Sequence, residues 1–181
     1  APWAGVAGLV GAATLLLTAP AAAQERGRKD MAPLNDRPNP YQTIAGWARM
    51  PEGRSWGSTS AVEVDIDGES LWVGERCGTN SCVGSALDPI LKFDKTGKLV
   101  KSFGAGLITW PHGITVDKQG NVWVTDGQDN LPRRARGAAA DAPLPPAPAK
   151  VIGHQVLKFS PDGKLLMALG APGGGKEPNY F

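Results

Sequence analysis

The chain carries one pattern twice. Val64-Asp65 falls on Val116-Asp117, Gly68 on Gly120 and Trp72 on Trp123. Further along, Leu91-Lys92-Phe93 falls on Leu157-Lys158-Phe159, and Gly97-Lys98-Leu99 on Gly163-Lys164-Leu165. Repeats of this length, built from short alternating strands, mark the blades of a β-propeller. A single blade cannot bury both of its faces, so blades pack side by side into rings. The repeats therefore predict an all-β chain with about two four-stranded antiparallel blades, fewer than a closed ring needs.

Alternation and turn residues place the strands of blade one (about 61–104) near 61–65, 71–75, 89–94 and 98–103. Blade two (about 107–170) takes strands near 112–117, 121–126, 154–159 and 164–169. Asp67-Gly68, Thr96-Gly97, Gln119-Gly120 and Asp162-Gly163 supply the turns, because glycine tolerates positive φ. Trp72 and Trp123 share one repeat position and read as core residues of the second strands. Within blade two, residues 128–153 interrupt the repeat with a Pro/Ala-rich insertion that predicts a disordered loop. Arg133, Arg134 and Arg136 within it read as solvated charge rather than a binding patch.

The N-terminal part has a different character. Residues 4–19 form an apolar run, and Ala21-x-Ala23 follows with the small-residue pattern of signal-peptide cleavage. Residues 1–23 thus read as a signal peptide with a truncated start, with an uncleaved anchor as the rival. Residues 24–40 read as a polar linker, and 41–181 as the partial propeller. Both readings place the protein outside the cytoplasm, secreted or periplasmic. In that compartment Cys77 and Cys82, the two cysteines of the chain, are expected to pair in a disulfide. A Cys-x4-Cys metal pair is the alternative. A formal net charge of +2 gives no footprint for nucleic acid. No membrane contact is expected beyond the signal segment.

The unusual residues fall on one edge of the blades. In an antiparallel meander the start of strand one, the end of strand two and the start of strand three share an edge. His112 opens strand one of blade two, and Arg76 closes strand two of blade one. The Cys77–Cys82 loop and the 128–153 insertion leave from the same edge. First strands line the channel of a ring, so His112 is a candidate zinc ligand. A hydrogen-bonded histidine at the channel mouth is the plainer alternative. His154 begins an outer strand and reads as structural.

WPHGITVDKQGNVWVTD, followed by HQVLKFSPDGKLL, resembles the peptidyl-α-hydroxyglycine α-amidating lyase family, six-bladed propellers of the NHL-repeat type. The resemblance covers about 41–181. It implies that His112 is one of three zinc ligands and that Arg76 is an active-site residue. It also implies a structural calcium held partly by the backbone carbonyls of Val62 and Ile114. The family's other zinc histidines and its active-site tyrosine lie on later blades that this chain does not contain. The insertion interrupts a short link of the family, and CGTNSC replaces a different loop.

The implied reaction splits a peptidyl-α-hydroxyglycine into a peptide amide and glyoxylate. The resemblance thus predicts an exported zinc-dependent lyase acting on a small-molecule or peptide substrate. The complete protein is expected to be a monomer, and this stretch alone inactive. Two other readings stand beside it. One is a non-catalytic NHL-repeat propeller that binds a protein or glycan, and the other is a calcium-dependent lactonase or hydrolase.

Overall fold

A computed structural model describes residues 38–175. The signal-peptide assignment to 1–23 lies outside the described residues, as does all of the 24–40 linker except 38–40. Residues 38–43 are exposed and lack regular structure. The rest is all-β. Among the described residues no helix is long and apolar enough to cross a membrane.

Eight strands form two sheets. The first contains β1 (Thr59–Val64), β2 (Leu71–Glu75), β3 (Ile90–Phe93) and β4 (Leu99–Phe103). The second contains β5 (Pro111–Val116), β6 (Val122–Asp126), β7 (Val156–Phe159) and β8 (Leu165–Leu169). Both are antiparallel meanders in sequence order. They are the two blades that the repeat predicts, and β1 and β5 lie side by side as neighbouring first strands.

Alternation decides which face each residue covers. Trp72, Ile90 and Phe103 of blade one pack against Ile108, Val122, Val124, Leu157 and Phe159 of blade two. The ring of Phe103 lies 5.4 Å from Trp72 and 5.0 Å from Phe159, centroid to centroid. The other face of blade one buries Val73, Leu91 and Phe93 under Trp47, Ala48 and Met50. That covering segment is fixed by Arg49 N–H donating to Gly97 O at 2.9 Å. Gly97 is required twice over: its φ is +78°, and a Cβ there would sit 1.8 Å from Trp47 O. Blade two turns the equivalent face, with Val124, Leu157 and Phe159, onto blade one, and leaves open the face equivalent to that of Trp72, where Trp123, Thr125 and Val156 line a shallow groove.

The repeat also has an electrostatic signature. Lys92 pairs with Asp65 and lies over Trp72, while Lys158 pairs with Asp117 at 3.0 Å and lies over Trp123. The acidic residue at the first-strand terminus thus caps the lysine of the third strand in each blade.

Four aspartates, Asp67 and Asp162 exposed and Asp94 and Asp117 half-buried, sit below the usual carboxylate range. Hydrogen bonds from Ser70 hold Asp67 down, Thr96 does so for Asp94, and Lys101 for Asp162. For Asp117 desolvation pushes upward, but hydrogen bonds from Asn121, Lys158 and Trp123 outweigh it. A lowered folded pKa contributes stability above the unfolded value of about 3.9 and loses it as pH falls through the folded value. The melting temperature is therefore expected to fall on acidification from about pH 5 to pH 3. Asp117→Asn should flatten that slope, and a melting curve unchanged over this range would contradict it.

Candidate functional site

Each first strand begins with an irregularity. Pro111 pairs with Asp126 and Gly113 with Thr125, so His112 is the extra residue of a β-bulge. Ser60 is the extra residue at the matching place in β1, between Thr59 and Ala61. A bulge re-aims one side chain out of the alternating pattern. It explains why His112 is exposed at the rim although its neighbour Pro111 is buried.

Arg76 follows β2 and is 7% exposed. Its Nε donates to Pro111 O of the other blade at 3.3 Å, and its Nη1 to Asn80 Oδ1 at 2.6 Å. The guanidinium carbon lies 3.4 Å from the centroid of the Trp110 ring. His112 stacks on the same indole, with centroids 5.0 Å apart. Arg54, Lys92 and Lys158 each have a carboxylate partner. Among the described residues Arg76 has none, and its second terminal nitrogen has no protein acceptor. Burial pulls its pKa down from the ordinary arginine value. A buried cation with only neutral contacts is costly, so such a site is suited to an incoming anion.

The structure brings together the rim features that the sequence places on one edge. Cys77 and Cys82 are disulfide-bonded. Their loop is anchored on both sides, by Gly78 N–H donating to Glu75 Oε1 at 2.6 Å and Cys82 N–H to Thr109 O at 2.7 Å. This loop presents Asn80 to Arg76. Removing the crosslink with Cys77→Ser/Cys82→Ser is expected to cost about 2 kcal/mol, the chain-entropy value for so short a loop. Denaturant unfolding checks it, and loss of the bond should also loosen Asn80 from Arg76.

The insertion has an organised stem. Asp129 and Gly153 form an isolated bridge, and Asn130 holds both Lys150 O and Ile152 N–H. Thr109 Oγ1 donates to Gln128 O, tying this stem to the segment before β5. His154 pairs with Asp129 at 3.3 Å, away from the Arg76–Trp110–His112 stack. Arg133 also pairs with Asp129, at 3.1 Å, while Arg134 and Arg136 are exposed. Val62 and Ile114 occupy equivalent places on β1 and β5, opposite Val73 and Val124.

Sequence reasoning missed two buried carboxylates. Glu75 ends β2, is wholly buried, pairs with Arg54 at 2.9 Å and accepts from Gly57 N–H at 2.7 Å. Asp126 ends β6 and accepts from Thr109 N–H at 2.8 Å and Trp110 N–H at 2.7 Å, with Thr109 Oγ1 3.0 Å away. Burial raises the Asp126 pKa against the lowering effect of those bonds. Each carboxylate fixes the backbone that leads into the first strand of its own blade. The signal was present in the repeat, since Glu75 and Asp126 each lie three residues after the aligned tryptophan.

Comparison with known proteins agrees with this architecture. The NHL repeat family matches residues 109–130, which span β5, β6 and the Trp110–His112 segment. NHL repeat-containing protein 3 of Homo sapiens is 28% identical over 74% of this chain and 31% of its own length. Peptidyl-alpha-hydroxyglycine alpha-amidating lyase 1 of Drosophila melanogaster is 34% identical over 45% of this chain and 12% of its own length. Peptidyl-glycine alpha-amidating monooxygenase B of Xenopus laevis is 55% identical over 17% of this chain and 4% of its own length. The chain thus spans less than a third of each of these relatives. It carries an NHL repeat within two blades of an all-β propeller, and it is similar in sequence to the peptidyl-alpha-hydroxyglycine alpha-amidating lyases.

Proposed function

We propose that these blades form part of a lyase that cleaves the C–N bond of a peptidyl-α-hydroxyglycine, with Arg76 receiving the substrate carboxylate. The observation that carries this reading is the buried Arg76 guanidinium, held by neutral groups and without a carboxylate among the described residues. A guanidinium presents two parallel N–H donors that match a carboxylate, and it holds the substrate through the end that the reaction leaves unchanged.

The reaction balances without an oxidant or a co-substrate. The hydroxyl proton leaves, its electron pair forms the new C=O, and the C–N pair departs with the nitrogen, which takes a proton. The products are a peptide amide and glyoxylate. Arg76 orients the scissile carbon by holding the neighbouring carboxylate.

His112 is our candidate zinc ligand, and Val62 and Ile114 are candidate calcium ligands through their carbonyls. Among the described residues no three or more His, Cys, Asp or Glu converge as a metal group. One exposed imidazole falls short of the three protein ligands that a catalytic zinc needs. The described residues therefore do not make a zinc centre by themselves, and the other donors would come from outside 38–175. We also infer export to an oxidising compartment, in keeping with the disulfide.

The test is release of glyoxylate from an N-acyl-α-hydroxyglycine by the intact protein supplied with zinc. Release that His112→Ala abolishes together with bound zinc is the expected result. No release from zinc-replete protein overturns the reading and favours a propeller that only binds.

A further inference from the structure

Trp110 is the side chain that both Arg76 and His112 touch. Its indole N–H is buried and has no acceptor among the described residues. The ring is therefore not held by its polar atom, and its contribution is its face. What seats it is the backbone around it. Asp126 accepts the Trp110 N–H at 2.7 Å, and Gly127 N–H donates to Trp110 O at 3.0 Å. Gly127 also leaves the room that the ring occupies: a Cβ there would lie 2.7 Å from Trp110 Cε3 and 3.0 Å from Cζ3. Its φ lies outside the positive range, so the constraint at this glycine is space.

The chemistry of the stack follows. An aromatic face attracts a cation and removes water from it without neutralising its charge. Pro111 O and Asn80 Oδ1 add two neutral acceptors. A carboxylate in place of Trp110 would neutralise Arg76 and close it to an anion. Arg54, locked to Glu75, shows that alternative within the same blade.

We propose that Trp110, seated by Asp126 and Gly127, is a positioning residue that keeps Arg76 flat, desolvated and uncompensated, and so makes the rim selective for a planar carboxylate. This rests on the reading that Arg76 receives the substrate carboxylate. Asp126, which ends β6, and Gly127, which follows it, thereby control a cation that follows β2 of the neighbouring blade.

The test uses glycolate, a small 2-hydroxy acid, titrated into the intact 15N-labelled protein. The readout is the Arg76 Nε–H resonance, assigned by its loss in Arg76→Ala. In the wild type this resonance carries a ring-current shift from Trp110 and moves as glycolate binds. Trp110→Ala should abolish the ring-current shift and weaken glycolate binding about tenfold, whereas Trp110→Phe should keep most of both. Gly127→Ala should resemble Trp110→Ala. Adding Trp110→Phe to it should restore binding, because the smaller ring vacates the space that the new methyl needs. If wild type binds glycolate at Arg76 while Trp110→Ala and Gly127→Ala bind it equally well, the inference is overturned and the Arg76 reading stands. If glycolate never moves the wild-type Arg76 resonance, the Arg76 reading fails and this inference falls with it.

Discussion

Phe159→Ala is expected to cost about 4 kcal/mol and to lower the melting temperature by on the order of 15 °C. Phe159 is fully buried, and its ring meets Phe103 of the other blade at 5.0 Å. Phe103 in turn meets Trp72, so three rings form the seam between the blades. Truncation leaves a cavity in the middle of that seam, where neither sheet can collapse without losing its register. The loss should reach the rim as well. Arg76 extends from blade one, while Trp110 and Pro111 O belong to blade two. A loosened seam moves the guanidinium off its platform. Leu165→Ala on the exposed β8 is the control and should stay within about 0.5 kcal/mol. Thermal unfolding followed by circular dichroism separates the two, and equal small shifts would contradict the packing.

The second large effect concerns the chemistry. Arg76→Ala is expected to lower kcat/KM for an N-acyl-α-hydroxyglycine by on the order of 10²- to 10³-fold, the usual loss for one partner of a desolvated charge pair. Arg76→Lys should recover only part of this, because an ammonium offers a point charge where the guanidinium offers a fork. It also gives up the flat contact with Trp110. Steady-state kinetics of the three proteins gives the answer, with folding checked by the same melting curves. If the arginine serves only to orient bound substrate, kcat falls with KM nearly unchanged.

Much of the fold is written locally. The aligned Val-Asp, Trp and Lys-Phe positions fix which residues face the seam, and the Gly turns fix the hairpins. The strands consequently lie within a few residues of where alternation places them. The bulges at Ser60 and His112 are less legible. A bulge is one extra residue that interrupts alternation, and only pairing with the partner strand reveals it. This is why β1 starts at Thr59, two residues before the alternation reading.

The site divides along the same line. Arg76 and His112 stand out because their residue types are unusual at strand ends. Their meeting on Trp110 depends on how two blades pack, which no local pattern states. Asp126 and Gly127 belong to the repeat, but their effect on Trp110 is tertiary. The insertion shows the opposite case: its composition suggests disorder throughout, yet Asp129, Asn130 and Gly153 fasten its stem through specific hydrogen bonds.

The central claim is that Arg76 is kept unpaired for a substrate carboxylate. The most direct measurement compares an N-acyl-α-hydroxyglycine with its carboxamide counterpart, for wild type and Arg76→Ala. If the guanidinium meets the carboxylate, wild type should prefer the acid by on the order of 10²-fold, and Arg76→Ala should erase most of that preference. An equal preference for the acid in both proteins would contradict the account.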